Sequence, residues 1–120
     1  MAKLSEYFHR REFQCQCGCG FDTVDTELLK LCNIVRELNG EPVIVSSGCR
    51  CKEHNEAVGG SEHSQHLLGK AADLMVNDPK AIADKLDYMF PAVYGIGIYL
   101  KGTKRIHVDC RNVRARWENR

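Results

Sequence analysis

One strand near the carboxyl end of the chain carries the pattern that most constrains its fold. Residues 105–110, RIHVDC, alternate between ionisable and apolar side chains. Because successive side chains of a strand point to opposite faces, one face carries Arg105, His107 and Asp109 and the other is apolar. Ionisable groups inside a small sheet are costly unless they find partners. This strand therefore predicts a fold in which its polar face lines a cleft, where a metal would be a suitable partner.

The segments before this strand alternate between helix and strand patterns. Residues 26–38 place apolar side chains on one helical face, with Asp25 as a cap at the start and Gly40 after the end. The other patterns predict strands at 42–47 and 71–76, helices at 52–58 and 79–90, and a hairpin of residues 94–100 and 105–110. We expect one α+β domain over residues 1–120, with helices packed on a small antiparallel sheet. An irregular, cysteine-rich segment of about 1–23 belongs to that domain.

Charge and hydropathy argue against several classes of partner. The 120 residues include 17 basic and 16 acidic side chains, for a net charge of +1. This balance gives no electrostatic basis for binding nucleic acid or an anionic membrane. No apolar run resembles a secretory signal or approaches the ~18 residues of a membrane span, so we expect synthesis in the cytoplasm. The arginines near the C-terminus predict a solvated basic tail.

Histidine and aspartate side chains offer a ligand set for zinc. His66 and Asp73 are separated by six residues in HLLGKAAD, a spacing that spans a turn into the predicted strand 71–76. The two groups can therefore converge, and His107 on the later strand supplies a third ligand. A catalytic zinc site uses three protein ligands and keeps a further position open. The His66–Asp73 pair by itself is a common pattern, so the metal site is a hypothesis at this point.

Longer motifs resemble a known family. The stretch SSGCRCKEHNEAVGGSEHSQHLLGKAADLMV, followed by GIGIYLKGTKRIHVDCR, is similar to the M15 family of zinc D-alanyl-D-alanine carboxypeptidases and endopeptidases. That family includes phage endolysin domains and shares its metal fold with the hedgehog signalling domain. The resemblance extends over residues 5–117, from the cysteine-rich start to the late RARW. It implies a bound Zn²⁺ with His66, Asp73 and His107 as its ligands.

The same resemblance implies roles for residues around the metal. Arg50 matches the arginine that holds the substrate carbonyl oxygen and the developing oxyanion, and Ser64 matches a serine near the terminal carboxylate of the substrate. Many relatives place an acidic general base three residues before the last histidine, where this chain has Lys104. Asp109 is the substitute that we consider, because it shares a strand face with His107. The alternative is that Asp109 only supports that histidine.

Seven cysteines are many for a chain of this length, and an odd number cannot all pair within one molecule. In a reducing cytosol, metal binding or free thiols are expected more often than a set of disulfides. The candidates for a second metal site or a disulfide are Cys15, Cys17, Cys19, Cys49 and Cys51. Cys32 lies on the apolar face of the first helix and is expected in the core. His63 lies in a glycine-flanked segment and is expected at the surface.

Two functions are compatible with these assignments. The first is a monomeric zinc peptidase that cuts D-Ala-containing bonds in the peptide part of peptidoglycan, acting on the cell wall after release from the cytoplasm. The second is a zinc-binding module of the same fold without turnover, as in hedgehog domains. The lysine at position 104 keeps the second hypothesis open.

Overall fold

The described part of the chain combines three α-helices and two 3-10 helices with one five-stranded sheet. A computed structural model describes residues 4–119 of the chain. Its α-helices are α1 (Thr26–Asn39), α2 (Lys52–Ala57) and α3 (Pro79–Met89). Its strands are β1 (Ile44–Ser47), β2 (Ala71–Met75), β3 (Gly95–Tyr99), β4 (Arg105–Asp109) and β5 (Ala115–Asn119). Two 3-10 helices are Arg10–Phe13 and Gln65–Leu68. The predicted α+β class is confirmed.

The strands form one sheet in the order β1-β2-β4-β3-β5. Neighbouring strands are antiparallel except β3 and β5, which run parallel, so one pairing departs from the predicted antiparallel sheet. One of the rows of paired residues that cross all five strands consists of Ser47, Asp73, His107, Gly97 and Trp117. A shift in register between Val45 and Ser47 brings Ser47 into this row. Because paired residues share a face of the sheet, the row gathers its side chains on one side.

The opposite face of the sheet carries the core and packs against α1 and α3. Leu74 of β2 is fully enclosed there, and Cys32 of α1 is buried as predicted. The predicted ends of α1 are confirmed. Asp25 caps its start by accepting a backbone N–H at 2.8 Å, and Gly40 after its end adopts the left-handed conformation with φ of 72°. Glycine adopts this conformation without steric penalty, which makes it a good helix terminator.

The remaining predicted elements lie within one or two residues of the observed ones. The largest shift is at the start of β1, which begins at Ile44 instead of position 42. Pro42 has no backbone N–H to donate to a partner strand, and pairing with β2 starts two residues after it, at Ile44. None of the helices within residues 4–119 combines the length and the apolar composition needed to cross a membrane.

The prediction of a solvated basic tail is wrong for residues 115–119, which form β5 at the edge of the sheet. Asp87 of α3 accepts a hydrogen bond from Nε of Arg116 at 2.7 Å and also pairs with Arg114. The guanidinium of Arg116 donates to two backbone carbonyls in the segment after α3 as well. These arginines therefore fasten β5 to the end of α3. Arg120 lies outside the described residues.

Residues 4–25 before α1 are largely irregular, as predicted, but they are packed into the domain. Residues 1–3 of the predicted irregular segment lie outside the described residues. Phe8 and Phe13 are buried and meet edge to face, with ring centroids 5.6 Å apart. The backbone N–H of Cys49 donates to the carbonyl of Phe13 at 2.9 Å. A side chain at Gly48 would collide with that same carbonyl, so glycine is required there. The N-terminal segment thus presses directly on the loop that follows β1.

Candidate functional site

Three candidate metal ligands meet on the open face of the sheet. His66, Asp73 and His107 each offer one ligand atom, and these atoms lie within 4.8 Å of one another. Nε2 of His66 is 3.5 Å from one carboxylate oxygen of Asp73, and Nδ1 of His107 is 2.9 Å from the other. The two imidazole rings meet edge to face, with centroids 5.3 Å apart. The structure thus brings together the three residues that the sequence proposed as one ligand set.

A tight turn fixes the orientation of His66. The 3-10 helix Gln65–Leu68 carries this residue, and Ser64 caps the helix by accepting the backbone N–H of His66 at 3.2 Å. Nδ1 of the imidazole lies 2.5 Å from the carbonyl oxygen of Gly48, to which it donates its proton. Because a neutral imidazole carries one N–H, Nε2 keeps a lone pair. That lone pair faces Asp73.

A carboxylate fixes His107 from the other side of its ring. Nε2 of His107 donates to Asp109 at 2.7 Å, so Nδ1 is the nitrogen that faces Asp73. Burial disfavours the charged imidazole, but the neighbouring carboxylates of Asp109 and Asp73 outweigh burial and raise the pKa of His107. A carboxylate that holds one ring nitrogen of a histidine orients the other nitrogen toward a metal.

Asp73 supplies the negative charge at the centre of the group. Burial favours the neutral carboxyl, but the neighbouring imidazoles of His107 and His66 outweigh burial and hold the pKa of Asp73 well below its usual range. A guanidinium nitrogen of Arg50 lies 3.7 Å from the same carboxylate. Asp73 is therefore ionised at neutral pH.

This donor set fits a divalent metal ion. Two imidazole lone pairs and one carboxylate face the same position, where a cation relieves the repulsion between the lone pairs and the negative charge. Zinc binds histidine nitrogen at about 2.0–2.1 Å and carboxylate oxygen at about 2.0–2.2 Å. Ligand atoms within 4.8 Å of one another can reach such a position with small movements. Imidazole nitrogens suit zinc better than they suit magnesium or calcium, which prefer oxygen ligands.

Arg50 is held beside this group by two polar anchors. Its Nε donates to the hydroxyl of Ser47 at 3.2 Å, and Nη1 donates to the side-chain oxygen of Asn55 at 3.2 Å. Asn55 is buried in α2, and its amide also donates to the carbonyl of Ser61 at 2.9 Å. Asn55 therefore links Arg50 to the loop that precedes His66. Sequence reasoning missed Asn55, because an asparagine in a short polar helix looks like a surface residue.

A cleft of about 450 Å³ opens over the candidate ligands. Trp117 of β5 forms one wall, with its ring centroid 4.9 Å from that of His107. The indole N–H donates to the hydroxyl of Tyr99 at 2.9 Å. Gly97 lies between Trp117 and His107 in the row, and any side chain there would collide with the indole. Sequence reasoning did not assign Trp117 or Tyr99 to the site, because the parallel pairing of β3 with β5 joins residues from distant parts of the chain.

Comparison with protein families identifies the chain. The family model described as Peptidase M15 matches residues 6–109, which include all three candidate ligands. The chain belongs to the M15 peptidase family. No curated protein gives a significant match to it. Membership supports a hydrolase that acts on a peptide substrate, and it agrees with the observed α+β fold.

In this M15 peptidase, Asp109 lies behind His107 and not in the cleft. The side chain is fully enclosed and accepts the backbone N–H of Gly95 at 3.0 Å. Its two oxygens accept two hydrogen bonds from the guanidinium of Arg111, each at 2.8 Å. Burial raises the pKa of Asp109, but His107 and Arg111 outweigh burial and hold it well below its usual range. This geometry favours the supporting role over that of general base, because an enclosed carboxylate has no path to an attacking water.

Three further residues weighed from the sequence have clear positions in the M15 peptidase. Ser64 lines the cleft, and its hydroxyl also caps the turn that carries His66. His63 is exposed, as predicted, but it lines the cleft too. Lys104 is exposed just before β4 and lines a different cavity of about 350 Å³. The position that is acidic in many relatives therefore faces solvent here.

Four of the five candidate cysteines form a cluster, and the fifth does not. The thiols that lie within 4.8 Å of one another are those of Cys15, Cys17, Cys19 and Cys51. Cys49 is buried apart from them, with its thiol donating to the carbonyls of Phe13 and Phe21. All of these cysteines are free thiols in the structure. Burial opposes ionisation of Cys15, but hydrogen bonds from the backbone of Cys51 and from Cys17 lower its pKa to about 7.

Proposed function

We propose that this M15 peptidase is a zinc enzyme that hydrolyses D-Ala-containing bonds in the stem peptides of peptidoglycan. The orientation of the donor set carries the proposal. Nε2 of His66, Nδ1 of His107 and the carboxylate of Asp73 face one position, because each histidine has its other nitrogen occupied. Three protein ligands with a further position open are typical of catalytic zinc, whereas structural zinc takes four. When bound, zinc lowers the pKa of a coordinated water toward ~7.

Arg50 is the group that binds the reacting carbonyl. Two of its nitrogens are anchored by Ser47 and Asn55, and Nη2 lies 3.7 Å from Asp73. A guanidinium fixed in this way can donate to the carbonyl oxygen of a peptide and to the negative charge that develops there. Because the side chain is already ordered, little reorganisation is needed during the reaction.

The shape of the cleft suits a peptide that extends past the cleaved bond. A second cavity of about 360 Å³ adjoins the first, and Arg50 and Asp73 line both. A substrate can therefore occupy space on both sides of the metal position. Ser64 and Arg111 line the larger cavity, where their donors can bind a carboxylate of the stem peptide. The similarity of the sequence motifs to those of D-Ala peptidases supports this substrate class.

His63 is the proton acceptor in this proposal. Among the described residues that line the two cavities, Asp73 is the one carboxylate, and it is assigned to the metal. Asp109 is enclosed behind His107. A neutral imidazole has a ring nitrogen with a free lone pair, so His63 can take a proton from the attacking water and return it to the leaving amine.

Asp109→Asn and His63→Ala are expected to impair the enzyme in different ways. Loss of the charge behind His107 should weaken zinc binding by about 10–100-fold, and excess zinc should restore much of the activity. His63→Ala should bind zinc normally and lose about 10²–10⁴-fold in kcat, as expected for a proton acceptor. Zinc titration and steady-state kinetics at saturating zinc separate the two effects. If Asp109→Asn keeps normal zinc affinity but has a strongly reduced kcat, Asp109 is the general base.

A non-catalytic zinc-binding module is the second candidate function. The observation that favours it is the absence of a second carboxylate among the described residues that line the two cavities. Such a module would bind a peptide through Arg50 and the metal without cleaving it. The peptidase would cleave cell-wall fragments, whereas the module would bind them and leave them intact.

The test is hydrolysis of purified cell walls and of short peptides that end in D-Ala-D-Ala. We expect release of soluble fragments or free D-Ala, loss of this activity with a chelator, and recovery when zinc is added back. Peptides with the D-Ala bond at the end or in the interior distinguish carboxypeptidase from endopeptidase action. Zinc binding without cleavage of any of these substrates would establish the module instead.

A further inference from the structure

The four-cysteine cluster lies outside the peptidase cleft and has no role in the proposed hydrolysis. The thiols of Cys15 and Cys17 are 3.5 Å apart, and those of Cys17 and Cys51 are 3.6 Å apart. Cys15 is buried, Cys51 is half-buried, and Cys17 and Cys19 are exposed. The cluster therefore joins three cysteines of the N-terminal segment to Cys51, which lies more than 30 positions later in the chain.

The backbone of the first segment is shaped to bring its three thiols together. In an extended chain, alternate residues lie about 6.5–7 Å apart, which is too far for a common ligand. Gly18 and Gly20 take left-handed conformations with φ of 84° and 91°, which curl the segment. The backbone N–H of Cys15 donates to the carbonyl of Phe21 at 2.7 Å and closes this loop. Glycine is the residue that adopts such conformations most easily, so the QCQCGCG sequence favours this loop.

The spacing of the sulfur atoms matches a tetrahedral metal site. Zinc binds thiolate at about 2.3 Å, so the sulfur atoms of a tetrahedron lie about 3.8 Å apart. The distances of 3.5 Å and 3.6 Å are close to this value, and all four sulfur atoms lie within 4.8 Å of one another. A disulfide would join two sulfurs at about 2.05 Å and leave the other two without a partner. Four sulfur ligands in a tetrahedron are typical of zinc or iron, and zinc is the common structural ion.

Backbone donors point at two of the sulfurs. The N–H of Cys51 lies 3.4 Å from the sulfur of Cys15, and the N–H of His54 lies 3.4 Å from that of Cys51. Hydrogen bonds of this kind stabilise sulfur in its thiolate form, the form that binds a metal. The cluster therefore has both the ligands and the surrounding donors of a metal site.

We propose that Cys15, Cys17, Cys19 and Cys51 bind a structural zinc ion, separate from the one in the cleft. The ion joins the N-terminal segment to the loop of residues 48–51. That loop presents the carbonyl of Gly48 to His66 and carries Arg50 immediately before Cys51. The second zinc thereby holds two parts of the cleft in place. This inference rests on the cysteines alone and stands whether or not the cleft hydrolyses peptidoglycan.

Zinc content tests the site. The reduced protein should contain two zinc ions per chain, and Cys17→Ser/Cys19→Ser should contain one. Both residues are exposed, so their replacement removes ligands without opening a cavity in the core. Cys49→Ser is the matched control, because it lies in the same loop but outside the cluster, and it should keep both ions. Asp73→Asn should contain one ion, the one held by the cysteines.

Cobalt substitution and thiol reactivity provide the second measurement. With cobalt in place of zinc, Asp73→Asn should retain thiolate-to-cobalt charge-transfer absorption, and Cys17→Ser/Cys19→Ser should lose it. Cys17 and Cys19 should react slowly with a thiol reagent until a strong chelator is added. One zinc per chain with immediate reaction of both thiols would overturn the proposal, and so would iron in place of zinc or a disulfide under reducing conditions. Failure of the hydrolysis assay would leave these results unaffected.

Discussion

Asp73→Asn is expected to remove the zinc ion from the cleft and to abolish peptide hydrolysis. The carboxylate faces both histidines, at 3.5 Å from His66 and 2.9 Å from His107, and a neutral amide is a far weaker zinc ligand. Zinc affinity at this site should fall by more than the roughly 100-fold that loss of a residue behind a ligand causes. Activity should fall to that of the chelated wild-type protein. Zinc analysis and peptide hydrolysis on the same preparation measure both effects.

Asp84→Asn is the matched control for this substitution. Asp84 lies exposed on α3, where it pairs with Lys80 at 3.1 Å. An exposed pair of this kind contributes about 0–1 kcal/mol, so the variant should keep its zinc and its activity. Full zinc content and hydrolysis in Asp73→Asn would show that the three residues on the sheet do not form the metal site.

Arg50→Ala is expected to lower kcat by about 10²–10³-fold, which corresponds to about 2.7–4 kcal/mol of transition-state stabilisation. Zinc content should stay normal, because the ligands do not include this arginine. Arg50→Lys should recover only part of the rate. A lysine keeps the positive charge, but its ammonium group cannot reproduce the two separate hydrogen bonds that the guanidinium donates to Ser47 and Asn55. Comparison of kcat and KM at saturating zinc measures the effect.

The control for Arg50 is Arg36→Ala, which removes a surface arginine that stacks on Tyr7 at 4.9 Å from the ring centroid. This variant should hydrolyse substrate at the wild-type rate. A change confined to KM in Arg50→Ala would show that the arginine binds substrate and transition state equally. The role in stabilising the oxyanion would then be rejected.

Much of the fold could be predicted from local patterns. The ends of α1 follow from the cap at Asp25 and from Gly40, and the start of α3 follows from the Asp78-Pro79 pair. Such signals act within one turn of the chain, so they can be recognised without knowledge of the tertiary structure. The hairpin of β3 and β4 is predictable for the same reason, because its turn residues lie between two alternating segments.

Features that depend on distant pairing could not be predicted in the same way. β5 pairs in parallel with β3 across a connection that contains β4. The arginines at 114 and 116 suggested a solvated tail, because their partner Asp87 could not be identified from the sequence. Alternation placed His107 and Asp109 on one face, but it gave no information on which ring nitrogen the carboxylate would meet. The position of the Asp109 carboxylate decides whether it acts as a general base or only orients His107. It depends on Gly95 and Arg111, which enclose the carboxylate.

Each of the five strands contributes one residue to the row from Ser47 to Trp117, so the cleft depends on the entire sheet. Two of its four pairings join strands that are not consecutive in the chain, because β2 pairs with β4 and β3 with β5. Contacts between distant segments form slowly, because closing a long loop is entropically unfavourable. During synthesis the ligand set is complete only when β4 has joined β2, and the tryptophan wall is added later. The cleft is therefore complete only after both β4 and β5 have been synthesised and have joined the sheet.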